Sequence, residues 1–568
     1  MKKLLILLLL QISYANCQVD WLVSIGGLED DYAYDVDCDA YGFTYCVGIF
    51  EGNDVNFAES GSHLESTTPF NQYNGFVRKS FSDGSLAWVK VLSSKCNVQS
   101  VEVKNPSESN AGYFVIAGFY FGTVDFAPGE TPQTETASNV QDMFVAKYDL
   151  NGNYIWHRTY GGYGNDEVDE ICIDIDDNVL LYGSFNSAID FGNGNSFTTS
   201  NRNGVIHKMD EFGNDLWTVR LSSPVEVYTG GGIDTDSQGN VYATGNYSDD
   251  LILSSGENFT TLHPESANYD NRAFISKFDS NGVYIWSHVY GSDSSVTING
   301  IGTKGTVYAM NLAIDSHNGV IVTGHSSRSI FFTPNVETQG GAYGKVFVLK
   351  LNENGNFKWL NSFGGDYGDR GLDIETDLDD NIYSTGYIGS IGDLDPSADS
   401  IIVSPGGYQL IYAQKTDSNG VLIDAKGFGS SCDHAIGYGI ALDQNQNVYI
   451  AGAFEGLGWT YWNPPYGDIQ VTDHGENDAI LFKLDGYLYL LDLTVEDVQI
   501  YPNPANSFFQ IKNHLKYESI SVIDVYGKTI FSANNIEEQV YISDWEAGVY
   551  FVKLYKESDQ IILRLVKT

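Results

Sequence analysis

Polar turn clusters alternate with short apolar runs along almost the whole chain, most clearly at Asp236-Ser237-Gln238-Gly239-Asn240-Val241-Tyr242-Ala243-Thr244-Gly245. Asp, Gly and Asn accept the φ > 0 conformations of a tight hairpin turn, and the Val and Tyr that follow favour a pleated, half-buried strand. The pattern returns, with some degeneracy, so that seven copies close at Gly48, Gly118, Gly183, Gly245, Gly324, Gly386 and Gly452. The intervals run from 62 to 79 residues, the length of four short strands with their connections.

A second landmark follows each turn: an apolar strand ending in Lys, a polar Gly turn, then Trp. It runs from Phe76-Val77-Arg78-Lys79 to Trp88 and from Phe144-Val145-Ala146-Lys147 to Trp156, and recurs at Lys208 and Trp217, Lys277 and Trp286, and Lys350 and Trp359. Units six and seven keep the Lys strand (Lys415, Lys483), but Asp424 stands at the Trp position of the sixth, where a register shift or an edge position is expected. Four antiparallel strands per unit, repeated without an apolar period near 3.6, predict an all-β fold, a seven-bladed β-propeller over residues 19–486.

The seventh unit lacks its Trp strand, whereas Val19-Asp20-Trp21 through Gly26-Gly27 repeats the Trp-strand pattern ahead of the first unit. Ring closure is therefore expected, with Trp21 in the last blade and Tyr487 to Leu493 as the competing occupant. Excursions at Thr131 to Val140, Leu253 to Tyr269 and Ser329 to Tyr343 read as loops on one rim, where binding is usually placed. Residues 487–497 read as a linker, and 498–568 as a separate, immunoglobulin-like β-sandwich with a rigid Pro502/Pro504 entry.

Composition changes this picture in two ways. Aromatics at 14% fit a strand-rich globular body, and a net charge of −44 argues against nucleic acids and anionic membranes while favouring a soluble monomer. Lys2-Lys3, the run Leu4 to Leu10 and Ser13-Tyr14-Ala15 read as a signal peptide over 1–17, cleaved after Ala15 or after Cys17, and no later apolar run is long enough for a transmembrane helix. Cys38 and Cys46 flank the first turn and are placed for a cross-strand disulfide.

The ideal repeat, Asp-x-x-Gly-Asn-x-Tyr-x-x-Gly, resembles the bacterial secreted propeller repeats known as SBBP. The end of the chain resembles the type A C-terminal sorting domain of the type IX secretion system of Bacteroidota. That likeness is carried by Tyr501-Pro502-Asn503-Pro504, Asp524-Val525-Tyr526-Gly527-Lys528, Gly548-Val549-Tyr550-Phe551-Val552-Lys553 and Leu565-Val566-Lys567. The resemblance implies transport across the outer membrane by the type IX machinery, removal of the domain, and release or attachment at the surface.

Catalytic motifs are absent: there is no Gly-x-Ser-x-Gly elbow and no His-Glu-x-x-His helix, and His157, His207 and His288 fall on or beside repeat strands as packing residues. Asp31, Asp166 and Asp369 each follow a Gly-Gly pair by four residues, which would place them at one level near the channel mouth as an acid ring, or as caps of their own backbone. Asp174, Asp176 and Asn178 alternate oxygen ligands in a tight turn and are the calcium candidates; no other cofactor is expected. The leading expectation is a secreted or surface-displayed, non-enzymatic propeller binding a glycan or protein ligand. The alternative is an extracellular polysaccharide hydrolase or lyase using channel-mouth carboxylates.

Overall fold

The computed structural model describes residues 19–484 and 500–567 apart from short segments, those of five residues or more being 59–63, 66–71, 264–270, 292–296, 502–506, 512–518 and 534–538. The signal-peptide reading and the competing strand at Tyr487 to Leu493 therefore lie outside the described residues. Two units divide the chain, Met1–Leu488 and Tyr489–Thr568. No helix among the described residues is long and apolar enough to cross a membrane.

The first unit is a β-propeller of seven antiparallel sheets, each with four main strands; the third is extended to six by the hairpin of Leu251–Ser255 and Asn258–Leu262, and the fourth has five because Val227–Tyr228 and Ile233–Thr235 both pair with its second strand. Blade 1 runs Tyr32–Cys38, Thr44–Glu51, Tyr73–Ser80 and Leu86–Leu92 from the axis outward. The innermost strands of the other blades are Cys96–Lys104, Glu167–Ile173, Ile233–Thr235, Val307–Ile314, Arg370–Thr376 and His434–Leu442. Each packs against the next, and the last returns to the first, so the ring is closed. Blade 7 takes its outer strand from the N-terminal side: Val19–Ile25 pairs antiparallel with Asn477–Leu484, with Trp21 opposite Lys483. That is the register of Lys79 and Trp88 or Lys147 and Trp156 in other blades. The closing strand also removes an unpaired sheet edge.

The closing glycine of the motif now has a cause. Inner strands carry a β-bulge, as between Ala33 and Asp35 and between Val98 and Ser100, which brings their backbone over the second strand. A Cβ on Gly48 would lie 1.9 Å from the Tyr32 carbonyl oxygen, and one on Gly118 2.0 Å from that of Asn97. No other residue fits there.

Three expectations are corrected. The excursions are not plain loops: every blade carries a two-stranded hairpin between its second and third strands, such as Thr123–Asp125 with Thr134–Thr136 and Leu251–Ser255 with Asn258–Leu262. For blade 6 the edge position holds and the register shift does not: Leu422–Phe428 is the outermost strand, and Lys415 faces Asp424 as other lysines face Trp, so backbone pairing holds the register without the indole. Cys38 pairs with Thr44 and Cys46 with Val36, so the two thiols sit at different rungs and are free and buried.

The second unit holds a three-stranded and a four-stranded antiparallel sheet. Phe509, Ile511 and Val540 from one sheet share a core with Ile520, Val522, Val552 and Leu554 from the other, which makes it a β-sandwich.

Candidate functional site

Six of the seven turns carry the motif Asp: Asp39, Asp174, Asp236, Asp315, Asp377 and Asp443. In each the carboxylate accepts backbone N–H groups two and four residues on, closing the turn on itself. The strand lysine supplies the positive charge, at 2.6 Å for Lys208 and Asp174 and 2.8 Å for Lys350 and Asp315. Lysine and tryptophan then reach together to the next blade: Lys208 Nζ and Trp217 Nε1 both donate to the Ser280 carbonyl oxygen. The repeated Lys, Gly and Trp landmark is thus an inter-blade clasp.

The three calcium candidates lie in that device. Asp174 accepts from the Asn178 side-chain amide at 2.9 Å and from Lys208, and Asp176 contributes its backbone N–H to Asp174. Burial pushes the Asp174 carboxyl up, but the Asn178 and Lys208 hydrogen bonds outweigh it and hold the group below its usual range. A different group, Asp315, His317 and Asp380, has ligand atoms within 4.8 Å of one another. There Asp315 is paired with Lys350, and Asp380 accepts from His317 Nδ1 at 2.8 Å.

Of the two readings of Asp31, Asp166 and Asp369, an acid ring or caps of their own backbone, the structure shows the caps. Asp31 accepts from the N–H groups of Gly27 and Glu51, Asp166 from Gly162 and Asn186, and Asp369 from Gly365 and Gly389. Each ties the Gly-Gly turn that enters a blade to the end of that blade's second strand, with no exposed surface of its own. His207 is likewise enclosed, between Thr218 and Asp215.

The carboxylates that do come together are others. A cavity of about 200 Å³ on the propeller axis is lined by Asp35, Asp37, Glu102, Glu170, Asp234, Asp373 and Glu375, with Cys172 and Asn311 beside them. Register places Asp35, Glu170 and Asp373 at one level and Asp37, Glu102, Asp234 and Glu375 one pleat further along. The innermost strand of each blade is a sheet edge, whose axis-facing N–H groups need acceptors. The aspartates provide them: Asp35 accepts from Val101 N at 2.8 Å, Asp37 from Val103 N at 2.6 Å, Asp234 from Ile314 N at 2.9 Å and Asp373 from Ile440 N at 2.6 Å. Each crosses to the following blade.

Burial pushes these aspartates up, Asp35 to about 6 and Asp37, Asp234 and Asp373 to about 7, against the lowering effect of their backbone hydrogen bonds. Glu102, Glu170 and Glu375 are driven well above the ordinary carboxylate range, by burial first and by the neighbouring acids second. The sequence signal for this set was an acid two or four residues before the motif Asp, on the same face of the inner strand: Asp35 and Asp37 before Asp39, Asp373 and Glu375 before Asp377.

The bulged residues, including Tyr34, Gln99, Asp169, Met310 and Tyr438, frame one mouth of the channel. Strand alternation puts the Gly-Gly entries and the extra hairpins on that face. It also carries exposed Leu28, Tyr163, Tyr343, Tyr367 and Tyr408, with Tyr343 and Tyr367 stacked at 5.2 Å.

Residues 499–568 match the secretion system C-terminal sorting domain. Of the motif residues, Tyr501, Gly548, Lys553 and Lys567 lie on strands of the sandwich, while Pro502, Asn503, Pro504 and Gly527 lie outside the described residues. An uncharacterized WD repeat-containing protein of Acanthamoeba polyphaga mimivirus is 22% identical over 333 residues, 50% of this chain and 23% of its own, so the match spans about a quarter of that relative. Among solved structures, PorZ of Porphyromonas gingivalis, described as an essential bacterial surface component of the type-IX secretion system, is 11% identical with a TM-score of 0.17, covering 96% of this chain and 100% of that one. A β-propeller domain from Myceliophteria thermophila is 8% identical with a TM-score of 0.32, covering 76% and 96%. These likenesses are distant, and the propeller stands on its own sheet topology. The sorting domain addresses the chain to the type IX system, and so to the cell surface or the medium.

Proposed function

We propose that the protein is a non-enzymatic binding propeller, an SBBP-type repeat body exported after signal-peptide removal and delivered by its C-terminal domain. The sorting-domain match over 499–568 carries this reading. The clamped state of Asp31, Asp166 and Asp369, each held by two backbone donors, supports the non-enzymatic side, since a catalytic acid needs access to substrate. The exposed tyrosines on the hairpin-bearing face support a glycan or protein ligand there: flat, amphipathic rings provide contact area at low entropic cost.

Two experiments test it. A fluorescent reporter fused to residues 494–568 reaches the surface or medium of a type IX-competent host; periplasmic retention sinks the sorting role. A glycan array probed with the secreted protein gives hits that Tyr343→Ala and Tyr367→Ala abolish. Binding untouched by both changes would move the site elsewhere.

A further inference from the structure

The face that carries the exposed tyrosines holds two cations beside its stacked pair of rings. Tyr343-Gly344-Lys345 leads into the third strand of blade 5, Lys345–Leu351, and Tyr367-Gly368-Asp369-Arg370 into the inner strand of blade 6, Arg370–Thr376. The Asp369 N–H donates to the Gly344 carbonyl oxygen at 3.4 Å, so the two segments lie side by side where the blades meet. The planes of the two rings differ by 13°, and Tyr343 is 66% and Tyr367 60% exposed. Each turn thus sets a cation two or three residues behind an exposed ring.

Arg370 is exposed, with its guanidinium 5.9 Å from the centroid of the Tyr387 ring, a contact that orients the group and leaves its N–H donors open. Among the described residues neither the Arg370 nor the Lys345 side chain has a hydrogen bond or an ion pair. Asp369, between them in space, does not neutralise them: its carboxylate is turned to the Gly365 and Gly389 N–H groups, and burial pushes it up to about 7. His325 packs behind Gly344 and is neutral, since burial first and Arg370 second push it down to about 3. Counting Asp366, exposed on the Tyr367 turn, the local balance is still positive, in a chain whose net charge is −44.

A pair of exposed aromatic rings offers a flat apolar surface for the C–H face of a pyranose. A guanidinium forms two parallel hydrogen bonds with one carboxylate, which gives direction as well as charge. A sugar that bears a carboxylate meets both demands. Neutral sugars leave the two cations unused, and the acidic side chains of a peptide meet the charges but bring no rigid apolar face to the rings. The remote acids of the chain weigh little here, because at physiological ionic strength their field falls off over about 8 Å.

We propose that this patch at the junction of blades 5 and 6 binds an acidic glycan of the uronic acid class, with a sugar ring on the Tyr343 and Tyr367 pair, its carboxylate on Arg370, and Lys345 as a second positive charge. This ligand class rests on the hairpin-bearing face being the ligand surface.

The test is calorimetry on the secreted protein at physiological salt with four probes: oligogalacturonate, its methyl ester, a neutral gluco-oligosaccharide and polyglutamate. Oligogalacturonate binds, and esterification or Arg370→Gln each weakens binding by about 10-fold or more, the scale of losing a charge-assisted pair at the centre of a contact. In Arg370→Gln the acid and its ester bind nearly alike, because the group that distinguishes them is gone. Arg370→Lys keeps part of the preference, and unchanged melting temperatures show that the variants are folded. An ester or neutral sugar that binds as tightly as the acid overturns the uronate class and leaves the ligand face standing. So does a preference for the acid that survives both Arg370→Gln and Lys345→Gln, or polyglutamate binding as tight as that of oligogalacturonate. Sugar binding untouched by Tyr343→Ala and Tyr367→Ala overturns the site and the ligand face together.

Discussion

The indole Nε1 of Trp21 donates to the carbonyl oxygen of Ser82 at 3.0 Å, across the junction of the last blade and the first. Trp156 with Glu211, Trp217 with Ser280 and Trp359 with Ser418 make the same bond between consecutive blades, so the closure is one more copy of the ordinary joint. Gly84 lies against the Trp21 ring, as Gly282 lies against Trp217. Trp21→Ala therefore costs about 2–4 kcal/mol, somewhat under a fully buried tryptophan because the ring is half-buried. Deleting residues 19–26 costs more, since it exposes the edge of Asn477–Leu484. Urea and thermal melts measure both, and an unchanged midpoint for the deletion contradicts the closure.

Lys208 and Asp174 are both almost fully buried, 2.6 Å apart. Lys208→Met leaves Asp174 without its cation and lowers stability by about 3 kcal/mol, the usual cost of breaking a buried pair from one side. The double variant with Asp174→Asn recovers part of that loss. Because the folded-state carboxyl is held below its usual range, the contribution of Asp174 is present above its unfolded value and disappears as the pH falls through the lower folded one. A denaturation series on the wild type and both variants below pH 5 checks the direction: the gap between Lys208→Met and wild type narrows with acid.

Asp369 accepts from Gly365 N at 2.5 Å and Gly389 N at 2.8 Å. Asp369→Ala leaves two buried donors without partners, a loss of about 2–4 kcal/mol. Ligand binding on the tyrosine-bearing face, measured where the variant remains folded, is retained. Loss of binding with unchanged stability would restore the acid-ring reading.

The repeat was legible because turns and strand ends are local: Asp, Gly-Asn and the closing Gly each satisfy a backbone demand that the sequence displays directly. Closure was legible for the same reason, through the displaced copy of the Trp strand around Trp21. The channel was not, because Asp35, Glu102, Glu170, Asp234 and Asp373 become neighbours only when blades far apart in sequence converge on one axis. Asp31, Asp166 and Asp369 do share a level, and their oxygens turn back to their own blades, the cap that an Asp four residues after a Gly-Gly pair offers locally. Asp424 misled in another way: losing one side chain did not move a strand already fixed by backbone pairing on its neighbour.

The channel carboxylates set the pH response of the protein without added cation. Asp35 is pushed up to about 6, and Asp37, Asp234 and Asp373 to about 7, all above their unfolded values. Between roughly pH 4 and pH 7 the folded state then binds more protons than the unfolded one, so these groups stabilise most below pH 4 and lose that contribution as the pH rises through 7. The turn aspartates Asp174 and Asp236, held low, work in the opposite sense only at the acid end. The melting temperature of chelator-treated protein should therefore rise as the pH is lowered from 8 to 5 and fall again below about 4. A slope that runs the other way would mean that the channel acids are ionised and solvated in the folded protein.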